Sequence, residues 1–132
     1  MVPTAIMAEE PMSTILRDRL VETALAWQDQ YGVAPAITTA ISEYDAAITL
    51  LGMSEEAFRQ SQLQTTAVQR GYDFIREGVR YQIKANRPSG RPGSKVTLCG
   101  KARNYEWDHL IWILYDREYR IQEAWEWPVA DY

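Results

Sequence analysis

The sequence predicts a single α+β domain with helices first and a mixed β-sheet after them. Two observations carry this. Apolar residues recur at helical spacing through residues 13–64, and from residue 72 onward the period changes to two. A chain of 132 residues, 46% apolar and 24% charged, is also the size and make-up of one ordinary globular core.

The elements follow in order. Ser13 and Thr14 can cap a first helix running to about Tyr31, with Leu16, Leu20, Ala24, Trp27 and Tyr31 at helical spacing and Gly32 as its stop. Pro35 opens a second, with Ile37, Ile41, Tyr44, Ile48 and Leu51 on one face and Gly52 at its end. Ser54 begins a third, which carries Glu55 and Glu56 in its first turn, where the helix dipole favours acids, and ends near Gln64. Residues 72–75 and 79–85 read as strands joined by a hairpin at Glu77-Gly78. Pro and Gly make 86–94 a loop, 95–98 reads as a short returning strand, and 104–109 as a turn or short helix. Residues 110–115 form a near-continuous apolar strand of the kind buried on both faces, and 120–127 a last one closed by Pro128. Residues 1–12 are expected to be disordered and 13–132 to form the domain.

Composition excludes several classes. One cysteine, Cys99, allows neither an internal disulfide nor a thiolate cluster. No apolar run approaches the ~18 residues of a membrane span, and the N-terminus lacks the pattern of a signal peptide. A cytoplasmic protein is the expectation. The net charge of −4 argues against indiscriminate coating of nucleic acid. Yet residues 70–103 hold nine Lys/Arg against Asp73 and Glu77, between two acidic segments.

The candidate chemistry lies in that basic block. Alternation along 79–85 puts Val79, Tyr81, Ile83 and Ala85 on one face and Arg80, Gln82 and Lys84 on the other, so Gln82 and Lys84 point the same way. An aspartate on one strand and Gln-x-Lys on the next can assemble a magnesium site beside a lysine, which suits phosphodiester hydrolysis. The plainer alternative is a strand-edge Asp73 paired with Arg76 or Arg80, and a solvated Lys84. The lone His109 follows Asp108 and has no His or Cys partner nearby in sequence, so it reads as structural or surface. Trp107, Trp112, Trp125 and Trp127 read as core or subunit contacts before base-stacking platforms.

From about Pro35 onward these residues resemble the PD-(D/E)xK superfamily of restriction-endonuclease-like nucleases. Glu43, in Ser-Glu-Tyr-Asp-Ala-Ala-Ile-Thr-Leu-Leu-Gly, is similar to the family's glutamate ahead of an apolar helix that ends in Gly. Asp73, in Gly-Tyr-Asp-Phe-Ile, is similar to its aspartate strand, and Gln82-Ile83-Lys84 to its Gln-x-Lys variant. Two positions depart from the majority pattern: Gln82 replaces an acid, and Tyr72 stands where a Pro is common.

The resemblance implies a restriction-endonuclease-like core with extra N-terminal helices. It implies Mg²⁺, with Mn²⁺ as a substitute, held by Asp73, Gln82, Glu43 and the Ile83 carbonyl. Lys84 would activate water, with Asp45 as a competitor for the role of Glu43. Arg80, Arg87, Arg91 and Lys95 would neutralise DNA phosphates. Cutting both strands would favour a homodimer, for which the aromatic C-terminus offers an interface. Two rival readings remain: a catalytically weak or inactive module of the same fold that grips nucleic acid or protein, and a subunit of a larger assembly acting through its acidic and aromatic surfaces.

Overall fold

A computed structural model describes residues 4–5, 15–68, 72–88 and 107–129. Three helices precede the main sheet: α1 (Ile15–Tyr31), α2 (Thr38–Tyr44) and α3 (Glu55–Val68). α2 runs without a break into a π-helical segment, Asp45–Leu50. The strands are β1 (Thr4–Ala5), β2 (Phe74–Arg76), β3 (Val79–Asn86), β4 (His109–Tyr115) and β5 (Ile121–Pro128). Their order across the sheet is β1-β5-β4-β3-β2, with β3 and β4 parallel and every other pair antiparallel. The fold is therefore α+β with a mixed sheet flanked by helices.

The β2–β3 hairpin closes with two residues, Glu77 (φ 51°) and Gly78 (φ 79°), both left-handed, as the right-handed twist of a strand pair requires. β4 is covered on both faces, as its unbroken apolar run implies. Ile111, Ile113 and Tyr115 join Tyr81, Ile83 and Phe74 beneath Ile41, Ala46, Ala47 and Ile48. Leu110 on the opposite face packs with Trp107, Tyr72, Trp112 and Trp127. Trp107 is fully buried and the Trp112 indole N–H donates to Asn86 Oδ1 at 2.7 Å. These C-terminal rings are thus engaged within the chain.

Several expectations change. α3 extends beyond Gln64 to Val68. Thr4 and Ala5, within the stretch expected to be disordered, pair with Glu126 and Trp125, while the rest of 1–12 lies outside the described residues. The expected strand at 95–98 and Cys99 also lie outside them, and of the expected turn at 104–109 only Trp107, Asp108 and His109 lie within. α1 spans the expected residues, and its orientation is what the spacing did not specify. Its core side carries Val21, Ala24 and Gln28, whereas Leu16, Leu20, Trp27 and Tyr31 are exposed. A buried charge explains the rotation. Asp45 is 2% exposed and binds Arg17 through Nε (3.0 Å) and Nη2 (2.8 Å), while Arg17 also donates to the Tyr119 carbonyl at 2.6 Å. The Tyr115 hydroxyl donates to Asp45 at 2.7 Å and the Thr49 hydroxyl at 3.3 Å. A desolvated carboxylate needs these partners, so the arginine is drawn inward ahead of the leucines.

Asp45→Ala strands the Arg17 guanidinium and the Tyr115 hydroxyl together. Urea denaturation is expected to show a loss of about 3–5 kcal/mol, the cost of breaking a buried ion pair from one side.

Candidate functional site

β3 outruns β2. The three residues of β2 pair only as far as Phe74 with Tyr81, while β3 continues to Asn86. Asp73 stands at the start of the edge this leaves unpaired among the described residues. It lies in a bend one residue before β2, a correction to the strand position expected for it. Its N–H still donates to the Tyr81 carbonyl at 2.8 Å, and its Oδ2 accepts the Ile83 N–H at 2.7 Å. The N–H and C=O of one strand residue project to the same edge, so the Ile83 carbonyl shares this edge with Asp73. α3 steadies the segment from outside. Buried Ser61 accepts the Ile75 N–H through Oγ at 2.7 Å, and Gln62 donates to the Asp73 carbonyl at 3.2 Å. Neither residue stands out in the sequence, since a polar pair within a helix is ordinary.

Glu43 arrives from α2, which packs against β3 on the core side. Its carboxyl faces that of Asp73. Burial first, then the charge and hydrogen-bonding demand of Asp73, push Glu43 up to about 8. Asp73 is raised too, by burial, against the opposing pull of the Ile83 N–H, Glu43 and the charge of Lys84. Both carboxyls are thus raised, and the two titrate as a pair that keeps a proton above the ordinary carboxylate range. Lys84 is close enough to act on Asp73 electrostatically. Gln82, one step beyond the Phe74–Tyr81 pair, stands opposite Asp73 on the same strand face as Lys84.

The structure thus brings Glu43 to Asp73 from the core side, with the Ile83 backbone at the same edge, while Gln82 and Lys84 share the other face of β3 and Lys84 acts on Asp73 from there. Asp45, the competitor of Glu43, is excluded because both its oxygens serve Arg17 and Tyr115 in the core. The plainer alternative for Asp73 also fails. Arg80 is bound to Asp108 at 3.0 and 3.2 Å, holding that carboxyl below its usual range, and Arg76 has Glu77 at 3.9 Å.

The expected phosphate-binding arginines are placed otherwise. Arg80 is held by Asp108. Arg87 donates to the Arg117 carbonyl and to Gln28 Oε1 (2.9 Å) and lies over the Tyr119 ring at 4.3 Å, so its donors serve the scaffold. Arg91 and Lys95 lie outside the described residues. His109 is half-buried, with Nδ1 2.5 Å from Glu126.

Two carboxylates, an amide and a backbone carbonyl are hard oxygen donors. Among the described residues no group of three or more His, Cys, Asp and Glu comes together, so the donor set available is this mixed one. Compared with known proteins, the chain matches no family model and no curated protein.

Because folded Glu43 keeps its proton to about pH 8 while the unfolded chain releases it near 4.5, folding binds a proton between those values. That stabilisation is complete below the unfolded pKa and is lost as pH rises through about 8. Denaturation midpoints measured from pH 5 to 9 are expected to fall with pH in the wild type, and to fall less in Glu43→Gln, which keeps the neutral form throughout.

Proposed function

We propose that the protein is a metal-dependent nuclease that hydrolyses phosphodiester bonds in DNA. One observation carries the reading. Among the described residues, the other acids that are buried or half-buried meet a basic partner: Asp45 with Arg17, Asp108 with Arg80, Asp116 with Arg120, Glu126 with His109. Glu43 and Asp73 instead meet each other, at a strand edge, with a lysine beside them. A protein that keeps two desolvated carboxylates against one another has a place for a cation.

The donors suit Mg²⁺, which takes hard oxygens, commonly one or two carboxylates plus waters. Asp73 and Glu43 would hold it, with the Ile83 carbonyl and the Gln82 amide as neutral ligands, and Mn²⁺ would substitute. When bound, such an ion supplies Lewis-acid stabilisation of charge at the reacting phosphorus. Asp73 is oriented for this by the Ile83 N–H and by Gln62 behind its carbonyl. Lys84 directs a water toward the phosphate and offsets negative charge as the P–O bond breaks. The basic segment that holds the site favours a polyanionic substrate. Cutting both strands of a duplex with one site per chain favours a homodimer.

A second reading keeps the surface and drops the chemistry. Gln82 in place of an acid removes one anionic ligand, which favours a binding module with weak or no catalysis.

Cleavage of supercoiled and linear DNA in Mg²⁺ or Mn²⁺ separates the two. The nuclease reading expects cleavage that Asp73→Ala and Lys84→Ala each reduce by roughly 10²-fold or more while both variants stay folded. DNA binding without cleavage, unchanged by divalent ions, supports the binding module. Cleavage that survives both substitutions overturns the assigned site.

A further inference from the structure

Helix α1 carries an apolar stripe on its outer side: Leu16 is 81% exposed, Leu20 40%, Trp27 53% and Tyr31 65%. Single exposed apolar residues are ordinary, but four in line along a helix about 25 Å long form a patch. The helix cannot roll to bury it, because Arg17 on the adjoining side is fastened to Asp45 and to the Tyr119 carbonyl.

We propose that this stripe is the face through which two copies of the chain associate, α1 lying antiparallel to α1. The pattern reads the same from both ends. A two-fold axis beside Thr23 sets Leu20 of one copy against Trp27 of the other, and Leu16 against Tyr31, with the small Thr23 where the helices come closest. Thr23 raises no objection to burial, since its hydroxyl already donates to the Arg19 carbonyl at 2.9 Å. None of positions 16, 20, 23, 27 and 31 is charged, and Arg19 flanks the stripe between Leu16 and Ile15. With Ile15 at its margin, 64% exposed, the stripe offers on the order of 500 Å² per copy, and two copies reach the ~1,000 Å² at which specific interfaces begin. An unrelated partner has no need of a stripe that repeats on reversal; a second copy does. The interface lies on the helical layer and not at the aromatic C-terminus, where Trp107, Trp112 and Trp127 pack with Leu110. It stands whether or not the chain cuts DNA.

Sedimentation equilibrium of the full chain, from micromolar to submillimolar, tests this. The wild type is expected to move from 15.2 kDa toward twice that mass. The double variant Leu20→Glu, Trp27→Glu is expected to stay at the monomer mass with unchanged helical circular dichroism and melting temperature. In a Cys99→Ser background, Thr23→Cys is expected to form an interchain disulfide under mild oxidation, and Glu22→Cys, turned away from the axis, is not. A wild type that stays monomeric throughout overturns the proposal. So does a double variant that still dimerises, or equal cross-linking at positions 22 and 23.

Discussion

Two acidic residues two positions apart on one helix are pulled to different sides of the molecule, and the buried one decides where the other points. At about 100° per residue, side chains two apart stand ~200° round a helix. Asp45 is sunk among Arg17, Tyr115 and Thr49, which joins α1, the π-helical segment and β4 at one point. The price of desolvating that carboxylate is met only when all three partners close on it. Once they do, the rotation of α2 is set, and Glu43 is carried to the edge of β3 beside Asp73. The same interaction turns α1 so that its arginine goes in and its leucines, Trp27 and Tyr31 stay out.

The candidate site depends on a second constraint, the unequal lengths of β2 and β3. Had β2 begun two residues earlier, a strand would occupy the edge that Asp73 now reaches along. The bend at Asp73 lets its carboxylate take the Ile83 N–H that a longer strand would have paired. A strand end thereby becomes an oxygen-rich corner with Glu43 on one side and Lys84 on the other. The charge there is balanced by a proton on the pair of carboxyls and by Lys84, a balance that can shift when a cation or a phosphate arrives.

Much of this was legible in the sequence. The change of period at residue 72, the Glu77-Gly78 turn and the apolar run of β4 placed the main elements because local patterning and turn chemistry decide them. Asp73 and Lys84 could be named because a carboxylate on one strand and a Gln-x-Lys on the next suit one chemistry, whereas Glu43 was named only through the family resemblance. The exposure of the stripe on α1 was not legible, because apolar spacing says which residues align and not which side is buried. Arg17 at the core was decided by Asp45, 28 positions away. The same limit applied to Arg80 and Arg87, whose partners Asp108, Gln28 and Arg117 are equally remote in sequence. Charge runs count basic residues without showing which already have a partner. Ser61 and Gln62 were invisible because a backbone hydrogen bond leaves no mark on composition.

The central claim is that Glu43 and Asp73 share one proton at the strand edge. Carbon-13 NMR of the Glu43 side-chain carboxyl, followed through a pH titration, reads this directly. The account predicts a midpoint near 8 in the wild type, falling in Asp73→Asn, where the neighbouring negative charge is gone. A midpoint near the ordinary 4.5 that ignores the Asp73 substitution would contradict it, because the two carboxyls would then not be in contact.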